Sequence, residues 1–169
     1  MEQGLKMARR VFFSFEYERD FWRVNEVRNC WVTEPERETA GFADAVSWEK
    51  MKWKGKEAIQ KWIDRELEGT SVAVVLIGCK TSSSEVVDYE IKQSRVLGKG
   101  LFGIYIHSLK DHDGKTDLKG KNPFENFCIA KNGQMTYLSQ IYPTYDWVDS
   151  DGYNNFADWV ERAVRKAGR

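Results

Sequence analysis

One carboxylate in this sequence lies where a helix should be apolar. In SSSEVVDYEI (82–91) and the residues that follow, Val86, Val87, Ile91, Ser94 and Leu97 fall on one side at about 100° per residue, with Asp88, Lys92 and Arg95 opposite. Glu90 projects from the middle of the apolar side. Two ordinary explanations exist: the helix turns enough to bring the carboxylate to water, or the carboxylate pairs with Arg28 or Arg95. A third is chemical. Two turns into a helix that follows directly on a strand, the side chain leans back towards the helix N-terminus and the crevice at the strand's carboxyl end. A carboxylate so placed can bind ribose hydroxyls or stabilise a developing cation.

Other residues able to do chemistry are fewer. Cys79, after the apolar run SVAVVLIG (71–78), is a nucleophile only with His107 or His112 as its base, and the pattern suits a structural Cys better. His107 closes another apolar run and reads first as a loop histidine. Trp48, in VSWEK, reads as a core or hinge aromatic whose indole could also stack on a nucleobase beside the crevice. DHDG (111–114) and DSDG (149–152) lack the register and the closing Glu of a calcium loop; they read as turns, and no metal site is expected. G-x-G-x-x-G, G-x-x-x-x-G-K-[ST] and G-x-S-x-G are all expected to be absent. NAD as a redox cofactor is therefore disfavoured.

The elements that must position Glu90 alternate between strand and helix. RRVFFSF (9–15) is short, aromatic and β-branched, as a buried strand is. YERDFWRVNEVRNCWV (17–32) places Phe21, Val24, Val27 and Trp31 at helical spacing. From 33 to 51 the pattern breaks, and GFADAV (41–46) is expected to form a short second strand. GKEAIQKWIDRELEG (55–69) restores a helix with Ile59, Trp62, Ile63 and Leu67 on one face and Gly69 at its end. SVAVVLIG is apolar throughout, as a parallel strand covered on both faces would be. Ser82 with Glu85 gives a capping-box spacing for the Glu90 helix. GLFGIYIH (100–107) supplies another strand, MTYLSQ (135–140) a short last one, and DGYNNFADWVERAVRKAG (151–168) a final helix with Phe156, Trp159, Val160, Ala163 and Val164 inward. This order predicts an α/β fold, a mainly parallel central sheet with helices on both faces.

Size and charge narrow the partners. The 169 residues suit a single domain over 1–169, with a flexible N-terminus over 1–8 and a long loop of little regular structure over 108–135. The 26 basic and 26 acidic residues cancel, and no Lys/Arg block forms a footprint for nucleic acid. Cys30, Cys79 and Cys128 are far apart and lack metal-ligand spacing, so buried thiols in a reducing cytoplasm are expected rather than disulfides or zinc. MEQGLKMARR has no apolar core and no run approaches the ~20 residues of a membrane span. A soluble, cytoplasmic protein without a membrane partner is the expectation.

Several segments together carry a resemblance. RRVFFSFEYERDFWRVNEVRNCWV, SVAVVLIGCKTSSSEVVDYEI, NPFENF and YPTYDWVDSDGYNNFADWV resemble the TIR-like proteins of bacterial Thoeris anti-phage defence, over about residues 9–160. The resemblance implies a flavodoxin-like TIR fold and NAD as a substrate, with no cofactor. It implies cleavage of the nicotinamide–ribose bond and formation of an ADP-ribose-derived, often cyclic, signal that activates a partner effector after infection. The catalytic Glu of that family falls in the YEI segment, which assigns the part to Glu90. Carried over residue by residue, Ser14, Phe15 and Tyr17 line the site after the first strand, Asp44 and Trp48 border the substrate, and Tyr89 precedes the catalytic acid. One departure is Val86, where many relatives have Trp in a W-x-x-x-E arrangement. Another is His107, a substrate-site position where a relative has Asn. A phage-derived activator and self-association are further partners that the resemblance implies, with the 108–135 loop as the candidate contact.

Two competing functions remain open at this point. A catalytically silent TIR-type interaction module is the alternative that Val86 supports. A nucleoside-processing transferase of similar architecture would also place a Glu at a ribose.

Overall fold

The computed structural model describes residues 9–169. The flexible N-terminus expected over 1–8 lies outside the described residues. Among the described residues five parallel strands form the central sheet: β1 (Arg9–Ser14), β2 (Arg37–Ala40), β3 (Val72–Ile77), β4 (Gly100–Tyr105) and β7 (Thr144–Asp146), in the order β2-β1-β3-β4-β7. Between and after them come α1 (Tyr17–Trp31), α2 (Ala45–Lys54), α3 (Lys56–Leu67), α4 (Glu85–Val96) and α5 (Gly152–Lys166). The order reverses between β1 and β3, the flavodoxin-like arrangement in which the crevice outside the carboxyl ends of the strands receives ligands.

Strand periodicity decides which residues face which helices. Val11, Phe13 and Phe15 turn to one side of the sheet, where Val24, Val27 and Trp31 of α1 and Phe156, Trp159 and Val160 of α5 close over them. Phe12 and Ser14 turn to the other, with Ile63 and Leu67 of α3 and Val87 and Ile91 of α4. All six residues of β3 are buried, as its continuous apolar run requires. Ser14 thereby faces the helix that carries Glu90.

Several expectations are corrected. GFADAV is not a strand: β2 is the preceding RETA, and Asp44 caps α2, its carboxylate accepting from Ser47 N and Ser47 Oγ at 2.8 Å each. The Glu90 helix is capped by Ser84, whose Oγ accepts from Val87 N at 3.2 Å; Ser82 belongs to a 3₁₀ turn, Thr81–Ser83, that comes first. The stretch 108–135 is not without regular structure: it holds a 3₁₀ turn at Pro123–Asn126 and enters a hairpin of β5 (Cys128–Lys131) and β6 (Gln134–Tyr137). MTYLSQ is therefore half hairpin and half 3₁₀ turn, and the last strand of the main sheet is β7. Cys128 is exposed, and Cys30 and Cys79 are half-buried, so the three thiols are not core residues. GKGLFG (98–103) has G-x-G-x-x-G spacing in the wrong context, since it leaves α4 and enters β4. Among the described residues no helix is long and apolar enough to cross a membrane.

Candidate active site

Glu90 is 3% exposed and pairs with neither Arg28 nor Arg95. Arg28 lies instead over the Phe42 ring, 4.5 Å from its centroid. Among the described residues the Glu90 carboxylate accepts one hydrogen bond, from Ser14 Oγ at 2.9 Å. Burial pushes its carboxyl well above the ordinary range, and the Ser14 hydroxyl opposes that shift by stabilising the anion. Two ordinary readings of an inward Glu thus fail, and an acid tethered at the carboxyl end of β1, beside the point where strand order reverses, stands in their place.

Around this pair is a small cavity of about 10 Å³, lined by Phe13, Phe15, Tyr17, Gly41, Trp48, Trp62, Val86 and Glu90. Aromatic packing closes it. Trp48 stacks on Tyr17 at 4.5 Å and 22°, Tyr17 stacks on Phe15 at 5.2 Å, and Trp62 meets Trp48 edge-on at 6.1 Å. Tyr17 Oη accepts from Ala43 N at 3.2 Å, which ties α1 to the turn before α2. The indole Nε1 of Trp48 is buried and has no hydrogen-bond partner among the described residues. A buried donor without a partner is the kind of group a ligand satisfies.

Beside the cavity, sharing Val86 as a wall, an open groove of about 320 Å³ runs between α3 and the first turn of α4, lined by Lys52, Lys56, Glu85 and Tyr89 among others. Tyr89 is held on that side, its hydroxyl donating to Asp64 Oδ1 at 2.9 Å. Lys52 contacts Glu18 and Glu49, whereas Lys56 has no ion-pair partner among the described residues.

The structure brings Ser14, Phe15, Tyr17, Trp48 and Glu90 together, and puts Tyr89 in the adjoining groove. Asp44 does not line the cavity; it fixes the start of the helix that delivers Trp48. His107 is not brought to Glu90 either. It follows β4, with β3 between it and β1, its ring edge against Tyr105 at 6.0 Å and its Nδ1 buried without a partner among the described residues. Phe13, Gly41 and Trp62 were not foreseen as lining residues. For Gly41 a signal was available, a glycine just after a strand. The half-buried Asp111 and the exposed His112 and Asp113 bring ligand atoms within 4.8 Å of one another, but Asp111 already accepts from two backbone amides as a turn.

A family model described as "Thoeris protein ThsB, TIR-like domain" matches residues 12–111. The chain is also 36% identical, over 192 aligned residues covering 91% of it and all of the relative, to "Putative cyclic ADP-D-ribose synthase ThsB1" of Bacillus cereus (strain MSX-D12). The chain belongs to the Thoeris TIR-like family. Every residue that lines the Glu90 cavity lies within the Thoeris-matched span. Val86 forms the wall between cavity and groove, where a larger ring would narrow the passage.

A second buried carboxylate lies at the same sheet edge. Asp20 is 1% exposed, and neither of its oxygens has a hydrogen-bond partner among the described residues; Arg23 Nη1 is 4.0 Å away. A Cβ on Gly78 would come within 2.2 Å of Asp20 Oδ2, so only glycine at the end of β3 leaves room for it. Burial foremost, then the nearby Glu16, raises the Asp20 carboxyl to about 6, while Arg23 and Arg19 oppose the shift. The folded protein binds this proton more tightly than the unfolded chain, so stability falls as pH rises from about 4 to about 6, and the penalty stays in force above that. Asp20→Asn is therefore expected to stabilise the protein at pH 8 by up to roughly 3 kcal/mol and to flatten this part of the stability curve. Thermal melts across pH check it; a variant less stable at pH 8 would show that the carboxylate is compensated.

Proposed function

We propose that the protein cleaves the nicotinamide–ribose bond of NAD at Glu90 and converts the ADP-ribose portion into a cyclic signalling nucleotide, which activates a partner effector in anti-phage defence. The observation that carries this reading is the Ser14–Glu90 pair, a buried carboxylate at the carboxyl edge of the sheet, beside β1. A relative named as a cyclic ADP-D-ribose synthase supports it.

The residue types suit the reaction. Nicotinamide is bound to ribose as a pyridinium; when the bond breaks, the electron pair goes to the ring nitrogen and the leaving group departs neutral. No general acid is needed. The ribose is left with oxocarbenium character, which the Glu90 carboxylate stabilises. Burial favours the protonated acid, whereas a cationic substrate favours the anion, so NAD binding and loss of the Glu90 proton are coupled. An adenine nitrogen or a ribose hydroxyl of the same molecule then closes the ring, a hydroxyl surrendering its proton to Glu90. NAD is the substrate throughout and no redox cofactor takes part.

Substrate entry needs motion. A cavity of about 10 Å³ does not hold a nicotinamide ring, so the Trp48–Tyr17 stack must part, with α2 moving between Gly41 (φ 88°) and Gly55 (φ 97°). Once open, Trp48 Nε1 is free to donate to the substrate, Phe15 and Tyr17 enclose the nicotinamide–ribose end, and the rest of NAD lies past Val86 in the groove of Lys56 and Tyr89. An activator or self-association that displaces α2 would switch the enzyme on.

The test is incubation of the purified protein with NAD, with and without lysate of phage-infected cells, following nicotinamide by chromatography and the co-product by mass. Nicotinamide release with a co-product one water lighter than ADP-ribose is the expected result. No release under either condition would refute the enzyme and leave the interaction module.

A further inference from the structure

At the amino-terminal edge of the sheet, opposite the edge that holds Glu90, a cavity of about 420 Å³ opens between the end of α4, the start of β4, the chain before β7 and the second half of α5. Strands of this length separate the two edges by about 20 Å. Its volume lies in the range of small-molecule sites, roughly 300–1,000 Å³. Among the described residues four cations line it, Arg95, Lys99, Arg162 and Lys166, and no Asp or Glu does. In a chain whose 26 basic and 26 acidic residues cancel, that is a local excess of one sign.

Cations near helix C-termini often serve only to satisfy the last carbonyls. In this edge that work is already assigned. Arg169 donates through Nε to Gly98 O at 2.9 Å and through Nη2 to Leu97 O at 2.8 Å, which covers the end of α4. Lys99 Nζ donates to Thr70 O at 2.7 Å, and Lys166 Nζ donates to Ile141 O. Arg95 and Arg162 are exposed and have no ion-pair partner among the described residues. Burial and the Arg169 charge both lower the proton affinity of Lys99, a sign of positive potential that an anion would relieve. The cavity wall is aromatic: Tyr142 and Tyr145 are half-buried, and Tyr145 stacks on Trp159 at 4.2 Å and 4°.

We propose that this cavity is a second ligand site that binds a nucleoside di- or triphosphate, its phosphates on Arg95 and Arg162 and its base against the Tyr142–Tyr145 wall. Guanidinium groups match phosphate oxygens by paired hydrogen bonds, and an aromatic wall accepts any base. The site is independent of the Glu90 reaction, because none of its residues lines the cavity or the groove described above.

Isothermal titration with ATP at low ionic strength tests it, on the wild type, on Arg95→Glu/Arg162→Glu, and on Lys52→Glu/Lys56→Glu in the groove. Saturable binding of one ATP per chain is expected, weakened at least ~10-fold by the first pair and unchanged by the second. Arg95→Gln/Arg162→Gln should give an intermediate loss, and pyrophosphate should bind more weakly than ATP. The proposal is overturned if ATP gives no saturable binding, if binding survives in Arg95→Glu/Arg162→Glu, or if the groove variant is the one that loses it. Pyrophosphate binding as tightly as ATP would overturn the nucleotide assignment. Circular dichroism melts of each variant confirm that the exposed replacements leave the fold in place.

Discussion

Glu90→Gln is expected to lower NAD turnover 10²–10³-fold, a loss of about 3 kcal/mol of transition-state stabilisation, while the protein melts at or above the wild-type temperature at pH 8. The two halves of this result have one cause. The carboxyl is buried with a single hydrogen bond, from Ser14, and its proton affinity in the folded state is raised well above the ordinary range. Its ionised form therefore costs stability: the penalty is absent below the unfolded pKa, grows as pH rises from there to the folded pKa, and stays in force above it. Gln keeps the shape and removes the charge, so it relieves the fold and disables the chemistry. A site that gives up stability for activity is the expected behaviour of a catalytic group. Single-turnover assays of nicotinamide release, paired with calorimetric melts, measure both; wild-type turnover in Glu90→Gln would end the assignment.

Gly41→Ala is expected to destabilise the protein by roughly 2–4 kcal/mol and to disturb the Glu90 cavity from its rim. Gly41 has φ 88°, which costs an L-residue about 1–2 kcal/mol, and its Cβ would fall 2.5 Å from the backbone oxygen of Phe13 and 3.2 Å from the Phe12 ring. The carbonyl belongs to β1, in the middle of the sheet, so the turn must yield instead. That turn leads into α2 and carries Trp48. The substitution should thus lower the melting temperature and, if substrate entry depends on α2, change KM for NAD more than kcat. A stability loss below ~1 kcal/mol would show that the turn has an alternative conformation available.

The parts of the fold legible in the sequence are those whose pattern is set by burial. β3 shows its two covered faces in six consecutive apolar residues, and α5 shows its inner face in Phe156, Trp159, Val160, Ala163 and Val164. Glu90 was legible for the same reason, as a violation of a burial pattern. Edges were not. β2 is RETA, four residues on an outer strand with a polar sequence, and the more apolar GFADAV beside it drew the strand assignment although Asp44 and Ser47 spell a helix cap. Three consecutive serines hid which one caps α4; only the chain's path through the Thr81–Ser83 turn selects Ser84. The β5–β6 hairpin did have a signal. Asn132 and Gly133 both have positive φ, the requirement of a tight hairpin turn, and Asn-Gly between Ala130 and Met135 is the pair that meets it. The closing of the site by Trp48, Tyr17 and Trp62 depends on three helices meeting, which no local pattern encodes. Asp20 escaped notice because a first-turn Asp is ordinary helix chemistry, and only the bare Cα of Gly78 shows that it points inward.

The most direct measurement is the pH dependence of kcat/KM for NAD, in the wild type and in Ser14→Ala, once the activated enzyme is in hand. The chemistry requires the Glu90 anion, and burial raises its proton affinity, so the rate should fall on the acid side at a pH well above the ordinary carboxylate range. Removing the Ser14 hydroxyl takes away the one hydrogen bond that favours the anion, so the acid limb should move to still higher pH in Ser14→Ala. A limb in the ordinary carboxylate range, or one that stays in place when Ser14 is replaced, would contradict the assignment of the reaction to a buried Glu90 held by Ser14.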